Sequence, residues 1–76
     1  MKTYRNLSGR SGVSAYARGL EHIDVQFKSG AVYRYTTASA GRRNIRVMKR
    51  MAEAGEGLAR YITSNVRNNF ESIISA

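Results

Sequence analysis

Seventy-six residues make one domain and leave no room for a second. The chain has no cysteine, which excludes disulfides and thiolate metal sites. Thirteen Lys and Arg against five Asp and Glu give a net charge of +8, which raises association with any polyanion.

A chain of this size buries roughly 60% of the surface its unfolded form exposes, so its core is thin. Arginine supplies most of the positive charge, and its planar donor fork suits phosphate. Excess charge also keeps a small protein in solution, so charge alone leaves two readings open. No apolar run approaches the ~20 residues needed to span a bilayer. The opening residues Met1-Lys2-Thr3-Tyr4-Arg5 lack the apolar stretch of a signal peptide, and the expectation is a cytoplasmic protein without a membrane partner.

Residues 1–12 are polar and cluster Ser8, Gly9, Ser11 and Gly12, which reads as a flexible N-terminal arm. Val13, Ala15 and Ala17 then alternate with Ser14, Tyr16 and Arg18, a pattern that predicts a short strand facing inward at the odd positions. Ile23, Val25 and Phe27 alternate with His22, Asp24, Gln26 and Lys28 in a second, clearer strand. Residues 31–37 are rich in β-branched and aromatic side chains and predict a third.

The turn between the second and third strands decides where the tyrosines point. A two-residue loop at Ser29-Gly30 pairs Phe27 with Val32 and sends Tyr33 and Tyr35 away from Ile23, Val25 and Phe27. A three-residue loop, Lys28-Ser29-Gly30, pairs Phe27 with Ala31, Val25 with Tyr33 and Ile23 with Tyr35. Gly30 stands where that loop needs a left-handed residue, so the three-residue loop is favoured. Arg34 then lies on the opposite face, beside Asp24 and Gln26.

Ser39 is a candidate helix cap, and Ile45, Met48, Met51 and Ala52 recur at helical spacing over residues 40–54. Gly55 and Gly57 end that helix. Leu58, Ile62 and Val66 recur every four residues in a second helix, with Tyr61 alongside. Phe70, Ile73 and Ile74 form a short apolar tail over residues 71–76 and just before it. The fold expectation is α+β: a three-stranded antiparallel meander followed by two helices packed on one face, all within residues 13–70.

Catalysis finds little support. His22 is the lone histidine, and a general base needs partners in reach. The carboxylates Glu21, Asp24, Glu53, Glu56 and Glu71 show no metal-ligand spacing. Gly55-Glu56-Gly57 follows no strand and is not a phosphate loop. The expectation is a protein that is not an enzyme and takes no cofactor or metal.

The basic run is the stronger signal. Arg42, Arg43, Arg46, Lys49 and Arg50 contain no acid among them. At about 100° per residue they share an arc of roughly 120°, opposite Ile45, Met48, Met51 and Ala52. Like charges three and four residues apart repel by tenths of a kcal/mol each. That cost points to an anion on this face, with a plain solvated face as the other reading. Tyr33, Tyr35, Tyr61 and Phe70 are candidates for stacking on bases, although tyrosines on the inner face of a hairpin more often serve as core.

The stretch from Ile23 to Tyr35, with Tyr33-Arg34-Tyr35 at its end, resembles the central hairpin of the KTSC domain. That family is named from a short module at the C-terminus of some lysyl-tRNA synthetases and also occurs as small stand-alone bacterial and phage proteins. The segment from Gly57 to Arg67 is similar to the late segment of the family, and the likeness spans residues 13–70. Tyr61-Ile62-Thr63 replaces the usual Tyr-Phe-Asn, and the usual proline after the hairpin is missing. The resemblance implies the order of the elements, and its synthetase context suggests RNA.

Two functions follow as expectations. The first is binding of RNA or DNA through phosphate contacts by Arg42, Arg43, Arg46, Lys49 and Arg50, extended by Arg34. The second is a protein-interaction module or phage-type inhibitor, for example an anti-CRISPR, that seats its cationic face on an acidic surface. In that second reading Phe70, Ile73 and Ile74 serve as a further contact or a homodimer seam.

Overall fold

The computed structural model describes residues 1–75. The strands are β1 (Lys2–Thr3), β2 (Val13–Arg18), β3 (His22–Phe27), β4 (Val32–Thr36) and β5 (Ser72–Ser75). Helices α1 (Thr37–Ala40), α2 (Arg42–Ala54) and α3 (Leu58–Tyr61) lie between β4 and β5, and α3 runs on into a π-helical turn, Ile62–Val66. The strands form one antiparallel sheet in the order β1-β2-β3-β4-β5.

The α+β class is as the sequence implies, but the sheet has five strands and not three. The two extra strands come from the segments read as arm and tail. β1 pairs with β2, and β5 pairs with β4, so the chain ends form opposite edges. Residues 1–12 are therefore not a free arm. Tyr4 is only 3% exposed, its amide donates to the Ser14 carbonyl, and its hydroxyl accepts from the Leu58 amide. The Leu7 amide donates to the Gly55 carbonyl, and the Arg5 guanidinium donates to the Glu53 carbonyl. Short polar segments carry no periodicity, so this order rests on long-range contacts that pattern reading does not detect.

The β3–β4 hairpin has the three-residue loop. The Phe27 amide donates to the Ala31 carbonyl, Val25 faces Tyr33 and Ile23 faces Tyr35. Gly30 takes φ +98°, a conformation that costs an L side chain roughly 1–2 kcal/mol. Tyr35 accordingly lies in the core with Ile23 and Val25.

The first strand differs from its alternation pattern. Val13 faces Phe27 while Ala15 faces Gln26, so an extra residue is inserted at Ser14. The bulge moves the inward phase from odd to even positions. Tyr16 is buried in place of Ala15 and Ala17, which turn to the other face opposite Gln26 and Asp24. The Ser14 hydroxyl donates to the Gln26 carbonyl at 3.2 Å beside the bulge.

One face of the sheet packs on the helices. Val13, Tyr16, Ile23, Val25 and Tyr35 meet Ile45, Met48 and Ala52 of α2 and Leu58, Ile62 and Val66 beyond it. The cap of the first short helix is Thr36, three residues before the Ser39 expected: its hydroxyl accepts from the Ser39 amide, and the Ser39 hydroxyl accepts from the Thr36 amide. Gly55, left-handed at φ +80°, closes α2 by donating to the Met51 carbonyl.

Candidate nucleic-acid interface

Gly41 separates α1 from α2 and stands at the N-terminus of α2 without a side-chain cap. The first turn of α2 carries no acid. The unsatisfied amides there, and the positive end of the helix dipole, are joined by Arg42 and Arg43. The like-signed charges and the bare N-terminus reinforce one another.

Arg42, Arg43, Arg46 and Arg50 are exposed, and no acid pairs with any of them among the described residues. Lys49 behaves differently. Its ammonium donates to the carbonyls of Gly19 and Leu20, so it pins the β2–β3 turn against α2. Its charge remains on this face, but its donors are partly committed.

A cleft of about 280 Å³ separates α2 from that turn. Arg42, Arg46 and Lys49 line one side, and Leu20, Glu21 and Thr37 line the other. The Thr37 hydroxyl donates to the Glu21 carboxylate at 2.8 Å, which fixes the one acid beside the cleft. Glu53, one turn beyond Arg50, lies within the cationic arc and is taken up by Arg18. Extending the helical wheel past residue 50 reveals Glu53 from sequence alone. Arg18 has no such signal, because the bulge at Ser14 sets the face on which it falls.

Arg34 does not extend this surface. Its Nε donates to Asp24 Oδ1 at 2.7 Å and its Nη2 to Asp24 Oδ2 at 3.0 Å, on the sheet face away from the helices. The pairing follows from the hairpin register, which sets the two residues opposite one another. His22 stands 3.7 Å from the same carboxylate.

The aromatic residues separate into distinct roles. Tyr61 donates to Asn44 Oδ1, and Asn44 Nδ2 donates to the Ala40 carbonyl, so Tyr61 ties α3 to α2. Phe70 is no free seam. Its ring meets Tyr33 edge-on at 4.9 Å and Tyr35 at 6.3 Å. Ile73 and Ile74, on the edge strand β5, remain about half exposed.

No family model, no curated protein and no solved structure matches the chain. Among the described residues, no helix is long and apolar enough to cross a membrane.

Proposed function

We propose that this protein is a non-enzymatic binding domain that contacts RNA or DNA through phosphates on the exposed face of α2. The observation that carries the reading is the set of four exposed arginines, Arg42, Arg43, Arg46 and Arg50, without acidic partners and beside an uncapped helix N-terminus. Unpaired like charges raise the free energy of the isolated domain, and bound phosphate lowers it. The resemblance of the hairpin to the KTSC domain, with its synthetase context, agrees with a nucleic-acid partner. Phosphate contacts supply affinity with little sequence choice.

Titration of a labelled duplex and a labelled single strand by fluorescence anisotropy tests this. Four phosphate contacts give a log-log salt slope of about −3 to −4 and a loss of about 100-fold between 50 and 200 mM salt. Joint Arg46→Glu and Arg50→Glu substitution abolishes binding while the unfolding transition is kept. Absence of measurable affinity for either nucleic acid at low salt sinks the reading.

A second reading draws on Ile73 and Ile74, exposed on an unpaired sheet edge. An interaction module, including a phage-type inhibitor of a nucleic-acid-handling assembly, uses such an edge together with the cationic face. Recovery of one stoichiometric protein from the host that survives nuclease favours it.

A further inference from the structure

A second cleft, of about 480 Å³, opens between the β3–β4 hairpin and the π-helical turn. Its volume falls within the range of small-ligand pockets. Phe27, Tyr33 and Phe70 form an aromatic wall, with Phe27 and Tyr33 edge-to-face at 5.6 Å. Tyr35 lines the cleft as well and is only 1% exposed. Its hydroxyl finds no hydrogen-bond partner among the described residues, yet it is not sealed away from the cleft. The hydroxyl is therefore left to hydrogen-bond with whatever occupies the cleft, water or an acceptor on a ligand. Arg67 and Asn68, exposed just past the π-helical turn, bring a cation and an amide to the rim. π-helical segments widen the backbone locally and recur at binding sites.

We infer that this cleft is a nucleotide pocket, in which an unpaired base lies against Phe27, Tyr33 and Phe70, Tyr35 donates to an acceptor on the base edge, and Arg67 meets the adjoining phosphate. Three requirements select this ligand. The wall calls for a flat, weakly polar ring, because aromatic faces and edges pair best with another ring. The hydroxyl that faces the cleft suits an acceptor on that ring, and the cation at the rim suits an anion one linker away. A nucleotide joins all three in one molecule, whether free or unpaired within a strand. The inference deepens the nucleic-acid reading of α2, and it adds a base-reading element to a surface that otherwise contacts phosphate alone.

The test uses the full chain and Tyr35→Phe, which removes the hydroxyl and keeps the ring. The probes are the nucleoside monophosphates AMP, GMP, CMP and UMP, a short unpaired strand, and an abasic strand of the same length. Binding is followed by NMR shifts of the Phe27, Tyr33 and Phe70 rings and by calorimetry. A free-nucleotide pocket binds at least one monophosphate, and Tyr35→Phe weakens that binding about fivefold with no loss of Tm. A strand-borne pocket ignores the monophosphates but prefers the base-bearing strand to the abasic one, and Tyr35→Phe erases the preference. Equal affinity for the two strands together with no monophosphate binding overturns the inference, and so does binding that Tyr35→Phe leaves unchanged. Joint Arg46→Glu and Arg50→Glu substitution separates the two surfaces. If the phosphate reading of α2 fails, the abasic strand does not bind even the unsubstituted chain, while the monophosphate shifts persist in both proteins.

Discussion

Burial pushes the Tyr35 phenol up to about 12, and the neighbouring Tyr33 hydroxyl adds to the shift. An unfolded tyrosine titrates near 10. The folded state therefore holds this proton over a window in which the unfolded state releases it, and the stability present below about pH 10 is lost as pH rises toward about 12. The loss amounts to about 2 kcal/mol across that window. Urea unfolding of the parent chain and of Tyr35→Phe, measured at pH 9 and again near 11.5, should show the parent losing stability that the variant keeps. Parallel losses in the two proteins would show that the phenol is not enclosed.

The same residue shows how far a single position could be read in advance. The three-residue turn at Lys28-Ser29-Gly30 and the inward aim of Tyr33 and Tyr35 were legible, because a glycine requirement and the period of the strand gave the same answer. The cleft behind Tyr35 was not. Phe70 reaches it from beyond the last helix, and only the closed fold sets that ring against Tyr33. Tail residues have no pattern that announces such a partner.

At the scale of the element, α2 matches its sequence pattern closely, with Ile45, Met48 and Ala52 inward and the arginines outward. Both of its ends were legible in part, since Gly55 closes it as expected, while Thr36 and Gly41 divide off a separate first turn. Its charge arrangement is unfavourable in isolation. Arg46 has Arg42 and Arg50 four residues away and Arg43 and Lys49 three residues away. Arg46→Glu turns four repulsions into attractions, each worth a few tenths of a kcal/mol. The variant should gain about 1 kcal/mol at low salt, a rise of roughly 4–8 °C in Tm. The gain should shrink in high salt, because exposed charges are screened. Nucleic-acid affinity should fall in the same variant. A stabilised variant with weakened binding marks a face whose charge is held for a ligand at the expense of the fold. A variant of unchanged Tm would mean that the arginines already avoid one another in solvent.

At the scale of the whole molecule, the helices and three central strands could be read locally, and both sheet edges could not. The edge strands are short, polar or taken from the tail, and each is fixed by a partner distant in sequence. The arm segment has the larger energetic consequence. A domain of this size has a total stability of roughly 4–11 kcal/mol at 0.05–0.15 kcal/mol per residue. Tyr4 fills a core position and also satisfies the Leu58 amide at the start of α3, so it joins the β1 edge to the far end of the helical layer. Replacing a buried large aromatic by alanine costs about 3–5 kcal/mol, which consumes a large share of that total. A residue in a solvated arm costs within about 0.5 kcal/mol. Tyr4→Ala therefore discriminates sharply between the two pictures. The urea midpoint should drop by about a quarter or more, with little change in the slope, because the same surface is exposed on unfolding. Tyr4→Phe should retain most of the stability and lose only the bond to the Leu58 amide, about 1 kcal/mol. A Tyr4→Ala midpoint indistinguishable from the parent would return residues 1–12 to the status of a free arm and leave β2 as the edge of a four-stranded sheet.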